Sequence, residues 1–327
     1  MLKINFRSIT RRLLNVREIP IFIMVLLVFI FLSYSSPAFL TVTNLRALSV
    51  SMATEGIIGL GMTAALISGC FDLSVGSVFG FCTVTVAVLY RMNINIWVCC
   101  LIAIGFGCIA GFFNGMLISR LRINAFISTL ATMSIFRGLC YIITKAQPIP
   151  LTGYQTKDPA FHQLGNGGIG NVQYVVIVLF VLAVIMGICM KKSEIFRKVY
   201  YTGSNENAAK LSGINTKNVI LGVFLLSGAL AGLVGTLFIA RFGTGQPTNG
   251  EGVEMNVITA AIIGGTSLKG GSGTVVGTLL GLLLLKLINT GLVLMSVPVY
   301  WQSFVSGVML IIAVLLDVAA QRINEKN

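Results

Sequence analysis

Charge is scarce in this sequence. Only 10% of its 327 residues are Asp, Glu, Lys or Arg, and just ten of them are acidic. Paired carboxylates for acid–base chemistry are therefore hard to assemble, and no Ser/His pair, paired acids or metal cluster is visible inside the apolar segments. The one histidine, His162, stands in a Gly/Asn-rich stretch. A lone histidine supports neither a metal site nor a nucleophilic triad. None of the seven cysteines (Cys70, Cys82, Cys99, Cys100, Cys108, Cys140 and Cys189) forms a Cys-x-x-Cys pair. All lie in or beside apolar segments, which argues against a disulfide framework or zinc site and makes them small packing residues. No Gly-x-x-x-x-Gly-Lys-Ser/Thr loop occurs, so a nucleotide site on this chain is rejected.

Apolar sequence fills the remainder. Hydrophobic residues make up 56% of the chain and the mean hydropathy is +0.92. That composition belongs to an all-α polytopic membrane protein. Spans are read at roughly 20–40, 47–69, 73–90, 95–118, 125–145, 172–190, 218–240, 254–267, 273–295 and 299–319. They number about ten, several of them short or broken by glycine. The basic start followed by Ser35-Ser36-Pro37-Ala38 has some signal-peptide character, but the apolar run continues to about Leu40 and is read as a retained first helix.

The net charge of +13 is a matter of topology and does not indicate a nucleic-acid partner. With the amino terminus inside, the inner loops hold sixteen Lys/Arg: five in residues 1–19, Arg120, Arg122, six in Lys191–Lys217, Lys269, Arg322 and Lys326. Five fall outside: Arg46, Arg91, Lys145, Lys157 and Arg241. The bias predicts both termini on the cytoplasmic side, with a cytoplasmic segment 1–19, a transmembrane domain 20–320 containing a cytoplasmic loop 191–217, and a tail 321–327.

Within that loop lies Gly203-Ser-Asn-Glu-Asn-Ala-Ala-Lys-Leu-Ser-Gly-Ile214. Glu206–Leu211 is good helix material, Asn205 or Ser204 is placed to cap it, and Gly213 ends it. Such a helix is too short to span a bilayer. It is either a plain connection or a docking element that offers Ala208 and Ala209 to another protein.

Two further stretches interrupt apolar helix. In Ser68-Gly-Cys-Phe-Asp-Leu-Ser-Val-Gly-Ser77, Gly69 and Gly76 permit a break, with Asp72 or Ser74 as cap of the next helix. It is either a helix broken at depth, suited to a polyhydroxylated solute, or a cytoplasmic turn. Thr259-Ala-Ala-Ile-Ile-Gly-Gly265 echoes Thr63-Ala-Ala-Leu-Ile-Ser-Gly69 and precedes a second Gly/Ser-rich break containing Thr266. The echo is an internal repeat or a short coincidence of composition.

Small-residue ladders at Gly107/Gly111/Gly115, Gly228/Gly232 and Gly273/Gly277/Gly281 lie on single helix faces and serve close packing in the bundle or a dimer seam. The deep cations Arg137 and Lys286 stand in structural or path-lining positions. Asn114, Thr132, Asn289 and Gln246 are further polar candidates for solute contact. The outer loop of about 146–171 is a connection or a receiving surface.

The sequence resembles the ribose, xylose and arabinose permease family of ATP-binding-cassette importers. The resemblance rests on Asn205-Glu-Asn-Ala-Ala-Lys-Leu-Ser-Gly-Ile214, on Gly264-Gly-Thr-Ser-Leu-Lys-Gly-Gly271, on Gly115–Thr132 and Ser227–Gly235, and on Asp72-Leu-Ser-Val-Gly76. Cys70 and Phe71 stand where that family has Gly and Ile, and Ala125 replaces its Pro. The resemblance implies alternating access for a pentose or hexose across the bacterial inner membrane. Asn205, Glu206, Ala208, Ala209 and Gly213 would couple to a separate ATPase subunit. Gly69, Asp72, Ser74, Asn114, Thr132, Arg137, Gly265, Thr266 and Asn289 are candidates for the path. It implies no cofactor on this chain, ATP being hydrolysed by the partner. The expected partners are a second permease copy or paralogue, a periplasmic sugar-binding protein, the sugar and the lipid bilayer. The competing reading is an ion-coupled secondary carrier. It needs paired intramembrane carboxylates, for which Glu55 and Asp72 are the candidates, neither with an evident partner.

Overall fold

A computed structural model describes residues 18–298 and 300–324. Its long helices are α1 (Glu18–Ser35), α2 (Val42–Ile67), α3 (Val75–Arg91), α4 (Ile96–Ser119) and α5 (Ala125–Thr144). After strand β1 (Ile149–Pro150), the short helices α6 (Tyr154–Lys157) and α7 (Pro159–Asn166) and the hairpin β2 (Gly168–Ile169)/β3 (Val172–Gln173) lead to α8 (Tyr174–Lys192). Next come α9 (Glu194–Ser204), α10 (Glu206–Leu211), α11 (Thr216–Phe242), strand β4 (Thr244–Gly245), α12 (Val253–Ile263), α13 (Val275–Leu294) and α14 (Tyr300–Asn324).

Seven of these helices are long and apolar enough to cross a membrane: α1, α2, α4, α5, α8, α11 and α13. Shorter apolar helices occupy Val75–Arg91, Val253–Ile263 and Tyr300–Leu315. Each expected span thus meets an apolar helix. Most of the segment read at 1–19 lies outside the described residues, as do 325–327. The last helix continues through Asn324, so the tail read at 321–327 begins as helix.

The connections gather at two ends. At one, Arg46 donates to Asn171 (2.6 Å), the Tyr90 hydroxyl to Asp158 (2.8 Å), and β1 pairs antiparallel with β4. At the other, Arg120 donates to Asn218 (2.8 Å), and Gly69, Gly203 and Gly270 crowd together.

The centre is α2, α3, α4 and α11, closely apposed through small residues. A β-carbon on Gly228 would stand 2.9 Å from the Gly111 Cα, and one on Gly232 2.9 Å from the Ile104 Cα. Gly107 and Gly228 would each strike the other's carbonyl. The ladders therefore serve packing between α4 and α11, while Gly277 and Gly281 admit α12 against α13. Lipid supplies no hydrophobic drive between helices, so this proximity of backbones is what dispersion requires.

Gly228→Leu should therefore lower the thermal unfolding midpoint of the detergent-solubilised protein by the several degrees expected of overpacking, about 1–3 kcal/mol or more. Gly222→Ala, where a β-carbon meets open space, should leave the midpoint unchanged.

Candidate functional site

The helix α10 forms where its sequence signals place it. The Asn205 side chain accepts from the Ala208 N–H (3.0 Å), and Gly213 ends the helix at φ +80°. Lys210 pairs with Glu206 at 2.7 Å, and the Thr216 hydroxyl donates to the same carboxylate oxygen at 3.1 Å. The bond from Lys210 holds the Glu206 carboxyl below the ordinary carboxylate range. One expectation changes. Ala209 is buried against the membrane domain, so it seats α10 and is not part of its outer face. That face presents Ala208 and, missed from sequence, Leu211, which is 91% exposed. A bare leucine ending a polar helix was the available signal.

Just before α10, Gly203 threads between the two Gly-rich breaks. A β-carbon there would overlap the Ile67 carbonyl oxygen, which already accepts the Gly271 N–H at 2.8 Å. From the second break, a β-carbon on Gly270 would stand 2.8 Å from the Gly203 carbonyl oxygen and 2.9 Å from the Gly69 Cα. The three stretches singled out in the sequence thus meet at one point. The breaks at Gly69 and Gly265 also end their helices alike. Ser68 N–H bonds Ala64 O and Gly264 N–H bonds Ala260 O (3.0 and 2.8 Å). Gly69 N–H bonds Leu66 O and Gly265 N–H bonds Ile262 O (2.9 Å each). Cys70 N–H bonds Ala65 O and Thr266 N–H bonds Ala261 O (3.0 and 2.9 Å). With φ +82° and +85° at the two glycines, both are Schellman ends, and the sequence echo is a structural one.

The first break lies at this shared end and not at mid-length of a span, because α2 is wound for 26 residues before it stops. It is nonetheless buried. Asp72 Oδ1 accepts from the Ser74 N–H (3.0 Å) and hydroxyl (2.6 Å), and Oδ2 accepts from the Ser227 hydroxyl (2.9 Å). Asn114 donates to the Ser74 oxygen (2.9 Å) and accepts from the Thr132 hydroxyl (2.6 Å). Four of the path candidates, Asp72, Ser74, Asn114 and Thr132, therefore form one chain of hydrogen bonds that reaches α4, α5 and α11. Thr266 is buried beside Gly273 at the second break. Asn289 is half-buried on α13 and stands outside this chain.

Arg137 marks a different place. It donates to the Pro247 carbonyl and, at 2.9 Å, to the Asn249 carbonyl. Residues 246–252 are unwound and run along α3, where β-carbons on Gly76 and Gly80 would strike the Gly250 and Asn249 carbonyls. Asn249 donates to the Thr83 hydroxyl at 3.1 Å. The span read at 254–267 is helix only as far as Ile263, with the turns of residues 246–252 before it and the Gly264–Gly265 break after it. The 11 residues of α12 rise only about 16 Å, against about 30 Å of hydrocarbon. Glu254, buried at the start of α12 beside Gly76, was not singled out from sequence. The run Gly243-Thr-Gly-Gln-Pro-Thr-Asn-Gly-Glu-Gly252 was the signal for this unwound segment.

Glu55 has a partner after all. Lys286, on α13, meets it at 2.5 Å, and both side chains are about a tenth exposed. Sequence reasoning left Glu55 unpartnered because the two residues lie 231 positions apart.

The chain matches a protein family described as branched-chain amino acid transport system / permease component over residues 44–314. It is 36% identical over 297 residues to the ribose import permease protein RbsC of Bacillus subtilis (strain 168), covering 91% of this chain and 90% of that one. It is 35% identical to RbsC of Escherichia coli (strain K12), covering 86% and 88% of the two chains. The autoinducer 2 import system permease protein LsrC of Salmonella typhi is 33% identical, covering 93% and 86%. No solved structure matches.

Lys286→Met should cost about 3–5 kcal/mol of stability, since it strands a buried carboxylate. The double variant Glu55→Leu/Lys286→Met should recover most of that loss. Thermal unfolding of wild type, both single variants and the double variant closes the cycle, and additive losses would show that the pair does not interact.

Proposed function

The chain belongs to the branched-chain amino acid transport system / permease component family, and from that premise we propose that it carries a monosaccharide, a pentose or hexose, across the bacterial inner membrane. It is a multi-pass permease of the ATP-binding-cassette importer class and not an enzyme. In this reading it crosses the membrane ten times with both termini inside, α3, α12 with its unwound lead, and α14 completing the seven long spans. Ribose import by the named relatives supports a small sugar.

The observation that carries the reading is Gly203. The polypeptide leading into α10 is wedged between the end of α2 and Gly270–Gly271 of the second break, one from each half of the chain, while Ala208 and Leu211 face outward. An ATPase subunit that grips this outer face moves Gly203, and Gly203 cannot move without shifting the end of α2 and the Gly270–Gly271 segment that follows α12. Packed backbones of this kind shift between discrete arrangements and do not bend continuously. The shift alters the Asp72 network at one break, and through α12 it reaches the segment braced by Arg137. A second copy or a paralogue completes the path. A sugar-binding protein delivers the solute to the opposite face, where residues 146–171 fold over the bundle.

The unwound residues 246–252, with Arg137, Thr83 and Glu254, offer backbone and side-chain hydrogen-bonding groups in the apolar interior, as a polyhydroxylated solute needs.

A pull-down with the cognate ATPase subunit tests the coupling. Ala208→Asp/Leu211→Glu should reduce recovered ATPase by about thirtyfold, the loss of a contact worth about 2 kcal/mol, at unchanged permease level. Gly203→Ala should retain the ATPase yet hydrolyse ATP without matching sugar uptake in proteoliposomes. Full recovery with the first variant, or coupled uptake with the second, would overturn the reading. Asn207→Cys should react with an impermeant thiol reagent only from the cytoplasmic side.

A further inference from the structure

Beside α10 lies a cavity of about 400 Å³, walled by the end of α4, the turn that follows it, α10 and the start of α11. Its charge is unbalanced. Arg122, Lys210 and Lys217 line it against the single carboxylate of Glu206. That carboxylate is already engaged by Lys210 and Thr216. Among the described residues, Arg122 and Lys217 make no hydrogen bond or ion pair. Ser119, also in the lining, is 4% exposed, and its hydroxyl has no hydrogen-bond partner. A buried hydroxyl without a partner carries a desolvation cost that an incoming acceptor removes. Two unengaged cations and a buried donor describe a site for an anion with several oxygens.

The surroundings identify its source. The cavity's own wall includes Ile118 and Ile220. Ile123, also in the wall, and Leu121 and Phe126, next to it in sequence, are exposed apolar side chains. A carboxylate from a soluble partner would satisfy the charge but would leave these residues in water. A lipid satisfies both. Basic pockets between helices on the cytoplasmic side are suited to phospholipid headgroups.

We propose that this cavity binds the phosphate of an anionic inner-leaflet phospholipid, which Arg122 and Lys217 hold and to which the Ser119 hydroxyl donates, while the acyl chains lie against Leu121 and Phe126. The leaflet assignment rests on the inward orientation of α10 proposed above, whereas the binding itself does not. Because Glu206 and Lys210 belong to α10, the lipid shares a wall with the element that meets the ATPase. Anionic lipid therefore steadies the seat of α10.

Native mass spectrometry of the purified, delipidated chain tests this directly, without the ATPase. Dioleoylphosphatidylglycerol should bind about twenty-fivefold more tightly than dioleoylphosphatidylcholine, as expected for two cations worth about a factor of five each. Arg122→Gln/Lys217→Gln should remove that preference, while Lys191→Gln, a basic residue on the same face but outside the cavity, should keep it. Equal affinity of wild type for the two lipids would overturn the proposal whether or not the variants fold. So would an unchanged preference in the double variant, or displacement of phosphatidylglycerol by millimolar inorganic phosphate, which would make this a free-phosphate site. Loss of ATPase recovery in the double variant without any lipid preference in wild type would assign the cations to a partner's carboxylate. Failure of the permease reading would appear instead as no ATPase recovered with wild type, with lipid selectivity intact.

Discussion

In hydrocarbon, a backbone amide or carbonyl that leaves a helix has no water to receive it, and the buried irregularities of this chain are arranged around that constraint. The ends of α2 and α12 fold three N–H groups back onto their own last turns. The Ile67 carbonyl, freed at the first end, is taken up by the Gly271 amide from the second break. The unwound run before α12 gives two of its carbonyls to Arg137. In the last two cases a group that would otherwise cost several kcal/mol finds a partner on a different segment. Satisfying the backbone is therefore also what ties the segments together.

The tie has a mechanical consequence. A side chain at Gly203 would separate α9 from both breaks, whereas glycine leaves backbone against backbone, with no flexible side chain in between to absorb a displacement. The two helix ends share a sequence pattern, a bond pattern and nearly equal glycine φ angles. Gly203 touches the first of them directly and the Gly-rich segment that follows the second. A loop that only connected α8 to α11 would have no use for this arrangement.

Features decided within a few residues were legible in the sequence. The cap at Asn205, the stop at Gly213, the breaks at Gly69 and Gly265 and the four-residue spacing of the ladders all follow from local chemistry. Features decided by distant partners were not. Nothing local shows that Ala209 turns inward, that Lys286 finds Glu55, or that residues 246–252 run inside the bundle and not over it. The sequence shows glycine and proline in that last run, which forbids regular helix but does not say whether water or protein surrounds the chain. The structure decides it by placing Gly76 and Gly80 alongside, residues whose missing side chains make room for the run.

The polar interior also bears on what drives transport. A carrier that works by titration needs a carboxylate free to exchange its proton or ion in the path. Glu55 is held by Lys286, and Asp72 already accepts three hydrogen bonds, so moving either charge first requires breaking a buried network. Glu254 stands buried where the unwound run becomes α12, its carboxylate accepting from backbone N–H groups of that turn, within the electrostatic reach of Arg137. Its placement fits a hydrogen-bonding wall for a neutral solute beside a fixed cation. In the proposed reading the energy for movement enters elsewhere, at Gly203, which joins α9 and the exposed face of α10 to both halves of the bundle by backbone contacts.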